Sequence, residues 1–136
     1  MDTAAPPVPK ALRTWFVIHF WADILFALPL FLAPTLVLSL AGWQQVDPYT
    51  ARLVAAALFG IGIESLLGRN ANATSFLTML NLKVIWSGTA SLGIAWSLLE
   101  APHGRPLFAW LTLAIFVGFH GVWRFWRNRM RKLLAA

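Results

Sequence analysis

Five residues that can carry a charge lie inside otherwise apolar stretches of this chain, and their types allow chemistry. They are His19 and Asp23 in the first stretch, Glu64 in the second, Lys83 in the third and His120 in the fourth. A charged side chain at the centre of a membrane helix costs roughly 2.5 to 3.5 kcal/mol, so such residues usually pair or line a wet cavity. Together, two carboxylates, two imidazoles and an amine could bind a small ligand or relay a proton.

Four apolar stretches must position these side chains. They cover about residues 14–42, 51–67, 75–99 and 106–126. Each is close to the ~20 residues that a helix needs to cross the hydrocarbon core, and backbone groups in lipid must be hydrogen-bonded within their own segment. The sequence therefore predicts an all-α fold: a polytopic membrane protein with a four-helix transmembrane domain at residues 13–127.

The composition excludes an ordinary soluble domain. Of the 136 residues, 59% are hydrophobic and only 12% are charged, whereas soluble domains contain about 25% charged residues. The chain has no cysteine, which excludes disulfides, thiolate metal sites and cysteine nucleophiles. The net charge of +6 could indicate nucleic acid, but most of the charges lie just outside the apolar stretches, so we expect no nucleic-acid partner.

The two ends of the chain and the prolines divide it further. Residues 1–12 contain three prolines and are predicted to form a disordered tail, and residues 128–136 are predicted to form a basic tail. Pro29 and Pro34 are expected to kink the first span in its middle or outer half, because proline removes a helical hydrogen bond.

The basic residues predict the orientation in the membrane. Eight flank one end of the predicted bundle and two flank the other. The eight are Lys10, Arg13, Arg69, Arg124, Arg127, Arg129, Arg131 and Lys132, and the two are Arg52 and Arg105. Because cytoplasmic loops carry the excess of lysine and arginine, both termini are expected in the cytoplasm and the chain in a cell membrane, on this reading a bacterial inner membrane. The five residues from Arg124 to Lys132 are predicted to bind lipid headgroups.

The depth of the charged residues suggests which of them meet. With a rise of ~1.5 Å per residue, Asp23 and Lys83 both lie about 12 Å from the inner ends of their spans. We therefore expect an ion pair between Asp23 and Lys83, which would offset part of the cost of burying each charge. His19 shares a helix face with Asp23 four positions later; the alternative is that its ring reaches the membrane interface.

The other two residues leave alternatives open. Ala56, Gly60 and Glu64 repeat every four positions, and stripes of small residues let helices approach closely. This stripe predicts that Glu64 faces the bundle interior; the alternative is that it reaches the interface near Arg69. His120 is either a hydrogen-bonding core residue or a member of the charged cluster.

Several kinds of site are not indicated. No two histidines are four positions apart, and the single Glu-x-x-His match, Glu100 to His103, lies around Pro102 between two predicted spans and not within one, unlike di-iron bundles; Lys83 would also repel a cation. There is no phosphate-binding glycine loop and no nucleophile elbow. We therefore expect no metal, no cofactor and no catalytic residues.

The chain resembles the DoxX-like group of small bacterial four-span membrane proteins. The similarity lies in the length, the four spans, the lack of cysteine and residues 51–60 (ARLVAAALFG), which open the second span after a short polar loop. The resemblance implies a helical membrane bundle that is an accessory subunit or has no assigned activity, and it transfers no catalytic residues.

Three function classes remain after this reasoning. The first is a non-enzymatic membrane protein with a polar pocket in its cytoplasmic half, an accessory or small-ligand-binding subunit. The second is a proton-coupled or small-solute carrier that acts as an oligomer. The third is a membrane enzyme or receptor for a lipidic molecule. The sequence favours the first class; membrane lipids are the expected partners, and a homo-oligomer or a larger membrane complex is left open.

Overall fold

Helices account for almost all of the residues that the structure describes. The computed structural model covers residues 7–100, 104 and 106–135, and this part of the chain contains no strand. The helices are α1 (Lys10–Leu32), α2 (Pro34–Leu40), α3 (Pro48–Leu67), α4 (Ala73–Glu100) and α5 (Leu107–Ala135), with a 3₁₀ turn at Gly68–Asn70 between α3 and α4. Four of them are long and apolar enough to cross a membrane, which confirms that part of the prediction.

The first predicted span is broken into two helices. Ala33 leaves the helical conformation, with φ −138° and ψ 59°, and Pro34 opens the seven-residue α2. A proline disfavours the helical conformation of the residue before it, so the break lies directly before Pro34. Pro29 is tolerated inside α1, where the amide of Ala33 still donates to its carbonyl at 2.9 Å.

Helices reach further into both predicted tails than the sequence indicates. α1 begins at Lys10, inside the predicted tail 1–12, and α5 continues to Ala135, through most of the predicted tail 128–136. Leu12 and Met130 are fully buried there, so apolar packing holds both extensions. The remaining tail residues, 1–6 and 136, and most of the predicted turn at 100–105 lie outside the described residues.

Asp47 fixes the start of α3. Its carboxylate accepts hydrogen bonds from the amides of Tyr49 at 3.0 Å and Thr50 at 3.3 Å, and from the Thr50 hydroxyl. Pro48 occupies the first helical position, where no amide proton is needed. The hydroxyl of Thr50 and then the amide of Tyr49 lower the pKa of Asp47, because both stabilise its ionised form.

The four long helices form two antiparallel pairs, α1 with α3 and α4 with α5. In the first pair, Arg13 donates to the carbonyl of Arg69 at one end, and Arg52 donates to the carbonyl of Phe31 at the other. The corresponding contacts of the second pair are Asn81 with Arg127 and Ser87 with His120. The two pairs must then be joined by side chains that cross between them.

The two halves of the bundle differ in how tightly the pairs are joined. Near the termini, a continuous apolar core unites α1, α4 and α5; its buried members are Val8, Leu12, Phe16, Ala73, Phe76, Leu80, Trp123, Trp126 and Met130. Both termini therefore lie at the same end of the bundle. In the other half, the buried apolar cluster among the described residues contains Ala27, Ala55 and Leu58, all from the first pair, and Trp86 and Phe116 of the second pair are partly buried against it. The second half consequently leaves space between the pairs.

Candidate functional site

A buried lysine lies at the boundary between these two halves. Lys83 is only 3% exposed; its Nζ donates to Ser65 Oγ at 2.6 Å and to His19 Nδ1 at 3.1 Å. The same ammonium lies over the rings of Phe16 and Trp123, at 4.9 and 5.0 Å from their centroids. Two polar atoms and two ring faces thus replace the water that the charge has lost.

Asp23 is buried beside this lysine site but accepts no hydrogen bond from the described residues. Its Oδ2 lies 3.1 Å from His19 Nδ1, yet it has neither a donor nor accessible surface. Nδ1 also lies 3.1 Å from Lys83 Nζ, and in the neutral tautomer that accepts from Lys83 the ring has no proton at Nδ1 to give to Asp23. The carboxylate is 7% exposed and remains unsatisfied.

The direct ion pair predicted between Asp23 and Lys83 does not form among the described residues; each side chain instead lies 3.1 Å from the same atom, His19 Nδ1. Their common depth does bring both into one cluster, as the helical rise requires. A common depth along two helices places two residues at one level, but it does not predict which third side chain contacts both of them. The reading of His19 as an interfacial residue is also wrong, since His19 is 6% exposed.

His120 joins the cluster at its edge. Its Nδ1 lies 3.1 Å from Ser87 Oγ, and the Ser87 hydroxyl also lies 2.7 Å from the carbonyl of Lys83, to which it donates. The ring rests against Gly88, where an added Cβ would approach it to 3.0 Å. His120 is half-buried, and it belongs to the cluster through Ser87.

Glu64 faces away from the bundle interior, contrary to the prediction. Glu64, Gly60 and Ala56 are all exposed, so their stripe lies on the outer surface of α3. The residues of α3 that face the other helices are Ala51, Ala55, Leu58, Gly62 and Ser65. The close approach to α1 takes place at Gly62, where an added Cβ would lie 2.7 Å from the Cβ of Asp23.

Ser65 is the member of the cluster that sequence reasoning missed. It is fully buried and holds Lys83, although serine in an apolar helix attracts no attention by itself. A signal was present: the small residues Ala51, Ala55, Gly62 and Ser65 are four, seven and three positions apart, which keeps them on one helix face with Leu58 between them. Following that spacing, rather than the 56–60–64 stripe, would have placed Ser65 inside.

An apolar cleft begins at the cluster. A cavity of about 310 Å³ has His19, Asp23 and Ser87 in its wall, and its other lining residues are mainly apolar. Phe26, Leu58, Trp86 and Phe116 also line a second cavity of about 870 Å³, which continues along the helices. The two together form a cleft between the helix pairs with polar groups at one end.

The cleft lies on the side of the cluster away from the termini. The cleft runs from the cluster towards Trp43 and Pro106. The pocket predicted from the sequence lies instead in the half nearest the termini. Near that distant end, Trp43 packs edge-on against Phe108 at 5.9 Å. Gly42 has a positive φ of 98°, and an added Cβ would lie 3.0 Å from the Cβ of Pro106, so glycine suits this close contact of two loops.

The cluster contains a pair that resembles a nucleophile and its base. Ser65 Oγ and Lys83 Nζ are 2.6 Å apart, the distance at which a lysine can activate a serine. However, Ser65 has no exposed surface, lines neither cavity and donates to the carbonyl of Ile61. Among the described residues, no three His, Asp or Glu side chains are grouped to hold a metal ion. The arrangement is suited to holding a polar group, and it gives a substrate no access to Ser65.

The basic residues predicted to bind lipid headgroups all lie on α5. Arg124, Arg129, Arg131 and Lys132 are exposed. Arg127 is half-buried and donates from Nε to Asn81 Oδ1 at 2.6 Å, which fixes the register of α5 on α4. Four of the five side chains are therefore available to a membrane surface.

No protein-family model, curated protein or solved structure matches this chain. Its function must consequently be argued from the geometry of the cluster and the cleft.

Proposed function

We propose that this chain is a non-enzymatic integral membrane protein that binds a small lipid-like molecule in the cleft between its helix pairs. The observation that carries the proposal is the Asp23 carboxylate, which is nine-tenths buried, accepts no hydrogen bond and lines an apolar cavity. Ligand sites in proteins have this character: mostly apolar walls with a few placed polar groups.

Binding would remove two costs that the structure carries. A buried polar group without a partner costs about 1 to 3 kcal/mol, and more when it is charged. The apolar walls of the cleft also lack contact atoms on one side. A molecule that donates to Asp23 from the cavity and has a hydrocarbon body along the cleft would give the carboxylate a hydrogen bond and supply those contacts, although the enclosed Oδ2 would stay without a donor.

The alternative functions explain less of the arrangement. A purely structural lock would need the cluster but not the cleft beside it. A carrier would need a polar route through both halves, and the half near the termini is filled by Phe16, Phe76 and Leu80, none of which has exposed surface. An enzyme that used the Ser65–Lys83 pair would need Ser65 in the cavity wall, and Ser65 does not line it.

The same proposal places the protein in a bacterial inner membrane with both termini in the cytoplasm. The support is the excess of basic residues at the end where the termini lie, eight against two. The cleft would then occupy the outer half of the membrane, with the polar cluster at its inner end.

The orientation is tested with a reporter fused after Ala136. We expect alkaline phosphatase, which is active only outside the cytoplasm, to be inactive at this position, and green fluorescent protein to be bright. The matched fusion after Gln45, in the loop between α2 and α3, should show the opposite pattern. Active phosphatase after Ala136 would contradict the orientation and the position of the cleft.

Ligand binding is tested by filling the cleft. Thr112 lines both cavities, and its hydroxyl donates only to the carbonyl of Phe108 in its own helix, so Thr112→Phe adds a ring with little polar loss. We expect saturable binding of at least one twelve-carbon probe (alcohol, amine or carboxylate) to the parent protein in nanodiscs, and at least a tenfold weaker affinity for Thr112→Phe. Scintillation proximity with tritiated probes measures both.

The matched control is Thr78→Phe. Thr78 is exposed, and its hydroxyl is bonded in the same way, to the carbonyl of Thr74. This variant should bind as the parent does. The proposal is wrong if no probe binds saturably, or if the two variants lose affinity equally.

A further inference from the structure

We infer that the molecule held in the cleft is a neutral alcohol with one hydrocarbon body, whose hydroxyl donates a hydrogen bond to Asp23. The inference rests on the proposed function and adds to it the chemical class of the ligand. It is argued from the state of the carboxylate, from the charges around it and from the shape of the cleft.

The Asp23 carboxylate can be satisfied only by a hydrogen-bond donor. Oδ2 is enclosed between His19 and α3, where an added Cβ at Gly62 would lie 3.2 Å from it. Oδ1 likewise accepts nothing, and it is the oxygen that keeps accessible surface where Asp23 lines the cavity. A carboxylate offers only acceptor sites. A polar group that enters the cleft must therefore bring an O–H or N–H and not merely a lone pair.

The charges at the site favour a donor without charge. The Lys83 ammonium and the Asp23 carboxylate each lie 3.1 Å from His19 Nδ1, so each of these buried charges has an opposite charge nearby, and Glu64, exposed on α3, adds a second negative charge that acts on Lys83. An alkylammonium would leave one positive charge unpaired in an apolar cavity, which is costly. An alkyl carboxylate would meet Asp23 with like charge. A hydroxyl supplies the missing donor and adds no charge.

The aromatic walls do not reverse this preference. Trp86, Phe116 and Phe119 line the cavity, and rings can attract a cation by about 0.5 to 2 kcal/mol. In this cluster the two rings that meet a cation, Phe16 and Trp123, already hold Lys83. If the ligand were a cation, the remaining rings would have to offset the cost of burying its charge without a partner.

The length and the lining of the cleft also indicate the shape of the ligand's hydrocarbon part. Along α4 its wall extends from Trp86 to Leu98, about 18 Å of helical rise. Beyond Asp23 and Ser87 this wall is lined mainly by apolar residues up to the loop contact at Trp43. A single extended chain or a narrow ring system matches a long, mainly apolar cavity with a carboxylate at one end.

The test compares probes that share one body. Dodecanol and dodecyl methyl ether differ in the hydroxyl proton and a methyl group, and dodecylamine and dodecanoate carry opposite charges. In nanodiscs, competition against tritiated dodecanol should show the alcohol binding at least tenfold more tightly than each of the other three, equal to about 1.4 kcal/mol at 25 °C. Equal affinity for alcohol and ether would overturn the donor argument, and tighter binding of the amine would overturn the charge argument.

Variants of Asp23 separate this inference from the proposed function. Asp23→Leu should bind alcohol and ether equally, because the acceptor is gone and the apolar cleft remains. Should that variant fail to fold, Asp23→Asn keeps the volume and can donate to the ether oxygen, so the preference for the alcohol should fall at least threefold. Thr78→Val, on the exposed face of α4, should keep the full preference. Undiminished preference in the Asp23 variants would overturn the inference while leaving the cleft as a binding site.

Discussion

Replacing Lys83 by methionine is expected to destabilise the bundle by about 3 to 5 kcal/mol, the usual cost of removing one partner from a buried charge pair. The change leaves the Asp23 carboxylate buried with no opposing charge, and it removes the donor from both His19 and Ser65. The free energy of unfolding can be measured by titration with sodium dodecyl sulfate in mixed micelles, followed by circular dichroism.

The double variant tests whether the two charges are coupled. Asp23→Asn alone leaves the ammonium unpaired, whereas Asp23→Asn with Lys83→Met leaves no buried charge. We expect the double variant to be at least 1 kcal/mol more stable than the sum of the two single losses predicts, within the range measured for residues in one network. Lys132→Met, at an exposed site, should change stability by less than about 0.5 kcal/mol. Strict additivity would show that Asp23 and Lys83 do not interact.

Replacing Gly62 by alanine is expected to destabilise the protein by about 1 to 3 kcal/mol, the typical cost of overpacking. The new methyl carbon would lie 2.7 Å from the Cβ of Asp23. Both atoms are fixed directly to helix backbones, so no side-chain rotation can relieve the contact and α1 must move away from α3. The same unfolding titration measures the loss.

Gly60 in the same helix provides a matched control. It is exposed, and an added Cβ there would meet nothing within 4 Å. Gly60→Ala should be neutral or should stabilise α3 by up to about 1 kcal/mol, because alanine has the higher helix propensity. If the two alanine variants unfold alike, the close approach of α1 and α3 at Gly62 is not a feature of the folded protein.

The relative level of Asp23 and Lys83 along their helices could be read from the sequence. Lipid leaves every backbone group to be bonded within its own helix, so length and hydropathy fix where a span lies. Asp23 and Lys83 were placed at one level for this reason, and they do share a cluster. The break before Pro34 also follows from local sterics alone.

Rotation about each helix axis could not be read in the same way. In water, an apolar stripe shows which face is buried, but lipid tails are as apolar as a protein interior and provide no such contrast. The helix α3 therefore has two faces that carry small residues. The stripe that ends in Glu64 predicts one buried face, whereas the structure buries the other face, which contains Gly62 and Ser65. Close packing against Asp23, which is a tertiary contact, decides between them.

The sequence by itself determined that this chain forms four apolar helices of membrane-spanning length and that Asp23 and Lys83 lie at one level, because both follow from hydropathy and helical rise. The tertiary structure decided that His19 contacts both Asp23 and Lys83, that Ser65 holds the lysine, and that the open space lies beyond the cluster. Those features depend on how two helix pairs pack side by side. The bulky rings of Phe16, Phe76 and Trp123 join the pairs in one half, and among the described residues no comparable buried set joins them in the other.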